Sequence, residues 1–185
     1  MVRKSNLFIV CEGLSGAGKT EFAKALSKKT NALYFKTPPY SLNRFRSLID
    51  KNFNYKYRYY FYLLSVFLSS EKIKKILKKQ PVICDRYIYT TLAFHSAIGI
   101  KTHNIKYFDF LYPADITFFV DCKNNVRLKR LYKRGLTYND EMEVKLNTDK
   151  KFLKEYKKFS MIRLDNSGTL EETLDQAIVH IKNII

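Results

Sequence analysis

At 185 residues, with 34 Lys+Arg against 17 Asp+Glu and a formal charge of +17, the chain has the size of one domain (1–185) that buries its own core. A hydrophobic share of 46% with 15% aromatics excludes a disordered or low-complexity chain. No apolar run approaches the roughly 18 residues of a membrane span, and residues 7–11 are too short for a signal-peptide core, so a cytoplasmic protein with no membrane partner is expected.

The basic excess raises nucleic acid as a partner, but the lysines are dispersed and no separate basic arm is visible, so that partner is not expected. Cys11, Cys84 and Cys122 make no C-x-x-C pair and read as small buried hydrophobes. His95, His103 and His180 show no metal spacing and read as ordinary.

In chain order, residues 7–11 are an apolar run of strand type, and 21–28 read as a helix. Between them stands Gly13-Leu14-Ser15-Gly16-Ala17-Gly18-Lys19-Thr20, which fits G-x-x-x-x-G-K-[S/T]. In that strand–loop–helix setting the backbone N–H groups turn inward around phosphate oxygens. Lys19 reaches the β- and γ-phosphates, and Thr20 can hold Mg²⁺. Further strand-like runs follow at 32–35, 82–84, 115–120 and 161–164. They are continuous rather than alternating, as in a parallel sheet covered on both faces. With helical stretches between them, the pattern predicts an α/β, doubly wound, three-layer domain with ligands at the carboxyl edge of its strands.

Three stretches carry further signals. In 52–68, Phe53, Tyr57, Tyr60, Phe61, Leu64, Phe67 and Leu68 recur at helical spacing. They read as core, as a stacking platform or as a dimer face, and periodicity does not choose among these. Arg58 lies among them, aimed into a site or out to solvent. At the end of the third strand, Asp85-Arg86-Tyr87 places a carboxylate and a guanidinium beside the P-loop. Asp85 suits a Mg²⁺ water shell or a proton acceptor, and Arg86 a bidentate grip on phosphate. In the helix from Asn125, Arg127, Arg130 and Arg134 share one face, opposed by Leu128, Leu131 and Tyr132. Three arginines on one face call for an anion. That points to a lid around 127–150 over nucleotide phosphates, running into a flexible 135–141 stretch.

Four blocks together resemble the thymidylate kinase-like family of P-loop nucleoside monophosphate kinases: residues 8–20, 82–94, 113–121 and 128–135. The resemblance implies a P-loop kinase fold with a five-stranded parallel sheet, a homodimer packed through helices, ATP with Mg²⁺ as donor, and dTMP as acceptor. By motif position, Lys19, Asp85, Arg86, Arg130 and Arg134 would carry catalysis. The loop from Gly13 to Thr20 would bind donor phosphates, with Asn166 and Ser167 near adenine and Thr20 and Asp85 at the metal. Glu12, Arg58, Tyr62, Arg86, Thr90, Thr91 and Phe94 would bind the acceptor, with Phe94 disfavouring a ribose 2′-hydroxyl.

This sequence departs from the family pattern at three places. Ser15 stands where an acidic residue is usual, and the neighbouring Gly16 resembles members whose catalytic arginines sit in the lid. The Arg-Glu-Pro-Gly-like segment that grips the acceptor phosphate is Lys36-Thr37-Pro38-Pro39-Tyr40 here, leaving Lys36, Arg44 or Arg46 to substitute. The thymine-reading Phe-x-x-x-Arg is Phe67-Leu68-Ser69-Ser70-Glu71. Two other readings stay open on the sequence: a deoxynucleoside kinase using Glu12 or Asp85 as base, and a nucleic-acid-binding P-loop NTPase.

Overall fold

The structure, a computed structural model, describes residues 6–145 and 148–184, so the segment expected as a lid is described except at 146 and 147. Five strands, β1 (Phe8–Glu12), β2 (Leu33–Lys36), β3 (Val82–Asp85), β4 (Ile116–Asp121) and β5 (Ile162–Asp165), form one parallel sheet in the order β2-β3-β1-β4-β5. The helices are α1 (Lys19–Lys29), α2 (Tyr40–Asn52), α3 (Tyr55–Ile76), α4 (Ile88–Ala97), α5 (Asn124–Arg134), α6 (Tyr138–Lys145), α7 (Thr148–Tyr156) and α8 (Leu170–Lys182). Among the described residues no helix is long and apolar enough to cross a membrane.

Strand pleating sorts the core into two layers. Ile9, Cys11, Ile83, Phe118, Val120 and Leu164 face α1 and α8, meeting Phe22, Leu26, Leu174 and Ile181. Phe8, Val10, Val82 and Cys84 face α3 and α4, meeting Tyr59, Val66, Ile73, Ile88 and Leu92. Beside them, Phe119 packs with α7 through Phe152 and Tyr156. Each such fully buried Phe, Leu or Ile contributes about 1.5–3 kcal/mol, and covering both sheet faces explains the unbroken apolar runs.

Each strand runs about one residue further than its apolar run. The added residues are Glu12, Lys36, Asp85, Asp121 and Asp165, all charged and all at the carboxyl edge. An apolar-run criterion clips them because they end at the ligand edge rather than in the core.

The aromatic stripe of α3 is not core. Phe53, just before the helix, and Tyr57, Tyr60, Leu64, Phe67 and Leu68 are exposed and Phe61 is half-buried, while the buried face carries Arg58, Tyr59, Ser65, Val66, Ser69, Ser70 and Ile73. The helix is apolar on both sides, so periodicity alone could not say which side met the sheet. Asn54 caps its start by accepting from the N–H groups of Lys56 and Tyr57.

Candidate active site

The P-loop links β1 to α1. Gly13 has φ 147°, and a Cβ there would collide with the Val120 carbonyl, so only glycine lets the loop hug β4. Gly18 has φ 87° as the N-cap of α1, and a Cβ there would meet the Asn166 amide. The Ala17 carbonyl accepts from Asn166 Nδ2 (2.7 Å) and Arg130 Nη1 (3.4 Å). The buried Lys19 ammonium donates to Leu14 O at 2.9 Å. Burial first, then the Arg86 charge, pulls its pKa down to about 7, against Asp85, Glu143 and Glu12. Gly16, Gly18, Lys19, Thr20, Arg130, Arg134 and Asn166 line one opening here. Ser167 instead turns back on its own loop, donating to Asp165 and accepting from the Lys123 N–H.

Asp85 stands at the centre, opposite Cys11 of β1 and Lys36 of β2 in register. Its Oδ2 accepts from the hydroxyls of Thr20 (2.7 Å) and Tyr34 (3.1 Å), with Lys36 Nζ at 4.0 Å. Its Oδ1 is buried without a hydrogen-bond partner. No group of three His, Cys, Asp or Glu side chains gathers to hold a metal among the described residues. The Thr20 hydroxyl and the half-used Asp85 carboxylate side by side fit Mg²⁺, which keeps its waters and takes few protein oxygens beside substrate phosphates.

Across Asp85 lies a second cleft. Arg86 has φ 70°, a left-handed conformation for a non-glycine residue, and its Nη1 donates to Thr90 Oγ1 (3.0 Å) and Gly13 O (3.4 Å). Glu12 is buried among four donors: the Tyr87 N–H (2.9 Å), the Thr90 N–H (3.2 Å), the Thr90 hydroxyl and the Tyr156 hydroxyl. Burial nonetheless raises its pKa, because desolvation outweighs those donors and Arg86. The wall further out includes Lys36, Arg46, Arg58, Tyr62, Thr91, Phe94 and His95.

Arg58 does not leave its charge in solvent. It is 1% exposed, with Nε 3.3 Å from Asp50 Oδ1. Tyr62 donates to the same carboxylate (2.9 Å) and accepts from Arg46 Nε (3.2 Å). Of the three substitutes named for the acceptor grip, Lys36 and Arg46 reach the cleft wall, whereas Arg44 lies over the Phe45 ring. His95 is more than an ordinary histidine. Its Nδ1–H donates to Thr91 O (2.8 Å), and its buried Nε2 has no hydrogen-bond partner. Burial holds its pKa at about 4, so it stands neutral in the wall.

The arginine face of α5 differs from its expected form. Arg127 is buried, with Nη1 3.1 Å from Glu143 Oε1, and Arg134 Nη2 lies 2.8 Å from Asp140 Oδ2. The Ser15 N–H also donates to Glu143 (3.1 Å). For Arg127 and Arg134 the anions are thus supplied, in this arrangement, by carboxylates of α6, while Arg130 donates to the Ala17 carbonyl. The flexible stretch expected at 135–141 is instead a short connection at 135–137 followed by that helix. Tyr132 is exposed rather than part of an apolar face, while Leu131 is buried beside Arg127.

Residues 11–177 match the family profile described as Thymidylate kinase. The chain belongs to the thymidylate kinase family. It is therefore a phosphotransferase enzyme. It is 29% identical to a Methanocaldococcus jannaschii protein named "Probable thymidylate kinase", over 97% of each chain. A Sulfurisphaera tokodaii protein of the same name is 28% identical, over 96% of this chain and 97% of that one. The solved thymidylate kinase of Candida albicans superposes with a TM-score of 0.79 at 19% identity, covering 96% of this chain and 92% of that one. That of Ehrlichia chaffeensis gives 0.68 at 22% identity, over 95% and 98%. These two likenesses carry the fold.

Within this thymidylate kinase-family chain, five residues near the site escaped the sequence reading: Tyr34, His95, Asp140, Glu143 and Tyr156. None sits in a glycine-bearing or strand-end motif. Their approach depends on how β2, α4, α6 and α7 fold back on the P-loop, which one-dimensional spacing does not report.

Proposed function

We propose that the protein transfers the γ-phosphate of ATP to a deoxynucleoside monophosphate, dTMP, and that it does so as a cytoplasmic homodimer with Mg²⁺. The observation that carries this reading is that the two openings share three lining residues, Lys19, Thr20 and Arg134. A donor held over Gly16, Gly18 and Asn166 and an acceptor held by Arg86 would meet at those residues, the arrangement an in-line phosphoryl transfer needs. Lys19, Arg130 and Arg134 offer cations to the transferring group, and Arg86, Lys36 and Arg46 to the acceptor phosphate. Mg²⁺ at Thr20 and Asp85 would add neutralisation of the charge on the donor phosphates. Thr90, Thr91 and Phe94 line the acceptor cleft where sugar and base would lie.

Glu12 supports a phosphate rather than a sugar hydroxyl as acceptor. Four donors already engage its carboxylate, so it is not poised as a free base. The exposed Phe53, just before α3, and Tyr57, Tyr60, Leu64, Phe67 and Leu68 on it support self-association, since a patch of that kind marks an interface. A coupled assay of ATP against nucleosides and their monophosphates tests the activity. Turnover of dTMP is expected, and turnover of thymidine alone would overturn the reading.

A further inference from the structure

The Asp85 carboxylate is loaded on one side only. Its Oδ2 takes the Thr20 hydroxyl at 2.7 Å and the Tyr34 hydroxyl at 3.1 Å, with Lys36 Nζ 4.0 Å away. Its Oδ1 is buried and takes none. A carboxylate turns easily about its last bond and can exchange its two oxygens. Two hydroxyl donors on one oxygen oppose that exchange and keep the other available.

The donors differ in what else they are asked to do. Thr20 belongs to the P-loop and Lys36 to the acceptor wall, and both face ligand. Tyr34 does not. It sits two residues before Lys36 on β2, so both project from the same strand face, and its ring packs against the core layer of α1 and α8. The Lys24 ammonium lies 5.9 Å from its ring centre, closing the other side. Its phenolic hydroxyl carries the proton that Asp85 Oδ2 accepts, so it acts as a donor there.

Resting on the kinase reading above, we propose that Tyr34 is a positioning residue for the metal–nucleotide site: its hydroxyl fixes the orientation of Asp85 and so reserves Oδ1 for the hydrated cation. It touches neither reactant. A tyrosine on β2 bonded to the strand-end aspartate of β3 is possible because register brings Lys36 opposite Asp85 and leaves Tyr34 a diagonal reach away.

The test is Tyr34→Phe, which keeps the ring and removes the donor. Mn²⁺ binding to the enzyme–ADP complex, followed by electron paramagnetic resonance, is expected to weaken roughly tenfold, the size of losses from metal-site supporting groups. Melting temperature and metal-free ADP affinity are expected to stay put. Turnover should recover at high Mg²⁺ without change in the acceptor KM. In an Asp85→Asn background the same substitution should no longer alter Mn²⁺ affinity, because the two act through one carboxylate. Mn²⁺ affinity within twofold of the parent, or effects of the two substitutions that simply add, would overturn the proposal. If the parent enzyme–ADP complex holds no Mn²⁺, the kinase reading fails first and takes this one with it.

Discussion

The two halves of the site are built differently. The proposed donor half is centred on one loop and the helix behind it, with Lys19 and Thr20 fixed by backbone geometry at Gly13 and Gly18 and with Arg130, Arg134 and Asn166 added from α5 and the loop after β5. The cleft proposed for the acceptor collects Lys36, Arg46, Arg58, Tyr62, Arg86, Thr90, Thr91, Phe94 and His95 from β2, α2, α3, α4 and the β3–α4 turn. A backbone cradle reads phosphate, a group that every donor carries alike. A wall of separate side chains reads what differs between acceptors. On that proposal, a chain can keep the family's P-loop pattern and still depart from it where the acceptor would be gripped and its base read.

The contrast can be broken most severely from the donor side. Lys19→Ala is expected to lower kcat by on the order of 10³-fold, with circular dichroism unchanged, since it removes a preorganised cation from the transferring group. Next comes Arg86→Ala. The kcat/KM for the acceptor should fall by about 10²-fold while the ATP KM holds, and initial-rate kinetics varying each reactant separately would show an unmoved acceptor term if the assignment is wrong. Lys36→Ala and Arg46→Ala sharpen the comparison further, because each is expected to raise the acceptor KM roughly tenfold as one member of a scattered grip. Equal changes in ATP and acceptor KM would mean that the halves are not separable in this way.

Smaller effects concern the molecule's surface and its protons. Leu64→Glu on the exposed face of α3 should shift the sedimentation profile toward monomer with little change in the fold, because that side chain is 53% exposed. Lys19 supplies the pH test. Its pKa in the free protein is about 7, against 10.5 ordinarily. Above pH 7 it is largely neutral, and a bound triphosphate restores its charge, so ATP binding at pH 8 should take up about one proton and at pH 6 almost none. Calorimetry in buffers of different ionisation enthalpy measures this directly. The sign for stability follows from the same shift. Between pH 7 and 10.5 the unfolded chain carries a proton that the folded one lacks, so this residue makes stability rise with pH across that window.

The P-loop, the strand-end Asp85-Arg86 pair and the five parallel strands were all legible in the sequence, for one reason: each is a local pattern with a local cause. Unbroken apolar runs follow from burial on both sheet faces, and glycine spacing follows from backbone angles that other residues resist. The same logic clipped Glu12, Lys36 and Asp85 from their strands, since charge at the carboxyl edge looks like the end of a run. Where sides had to be assigned, the sequence offered no decision. Helix α3 carries aromatics on both sides of its first turns, and only packing on the sheet shows that Tyr59 faces inward while Tyr57 and Tyr60 face out.

The sequence by itself determined the sheet, the phosphate loop and the family, because these depend on residues close together along the chain. The tertiary structure decided the rest: that Arg127 and Arg134 rest on Glu143 and Asp140, that Arg58 is buried against Asp50, and that Tyr34 reaches Asp85. These pairs lie between 6 and 51 residues apart along the chain. They form only when helices and strands close over one another, and their electrostatics depend on the burial that closure creates.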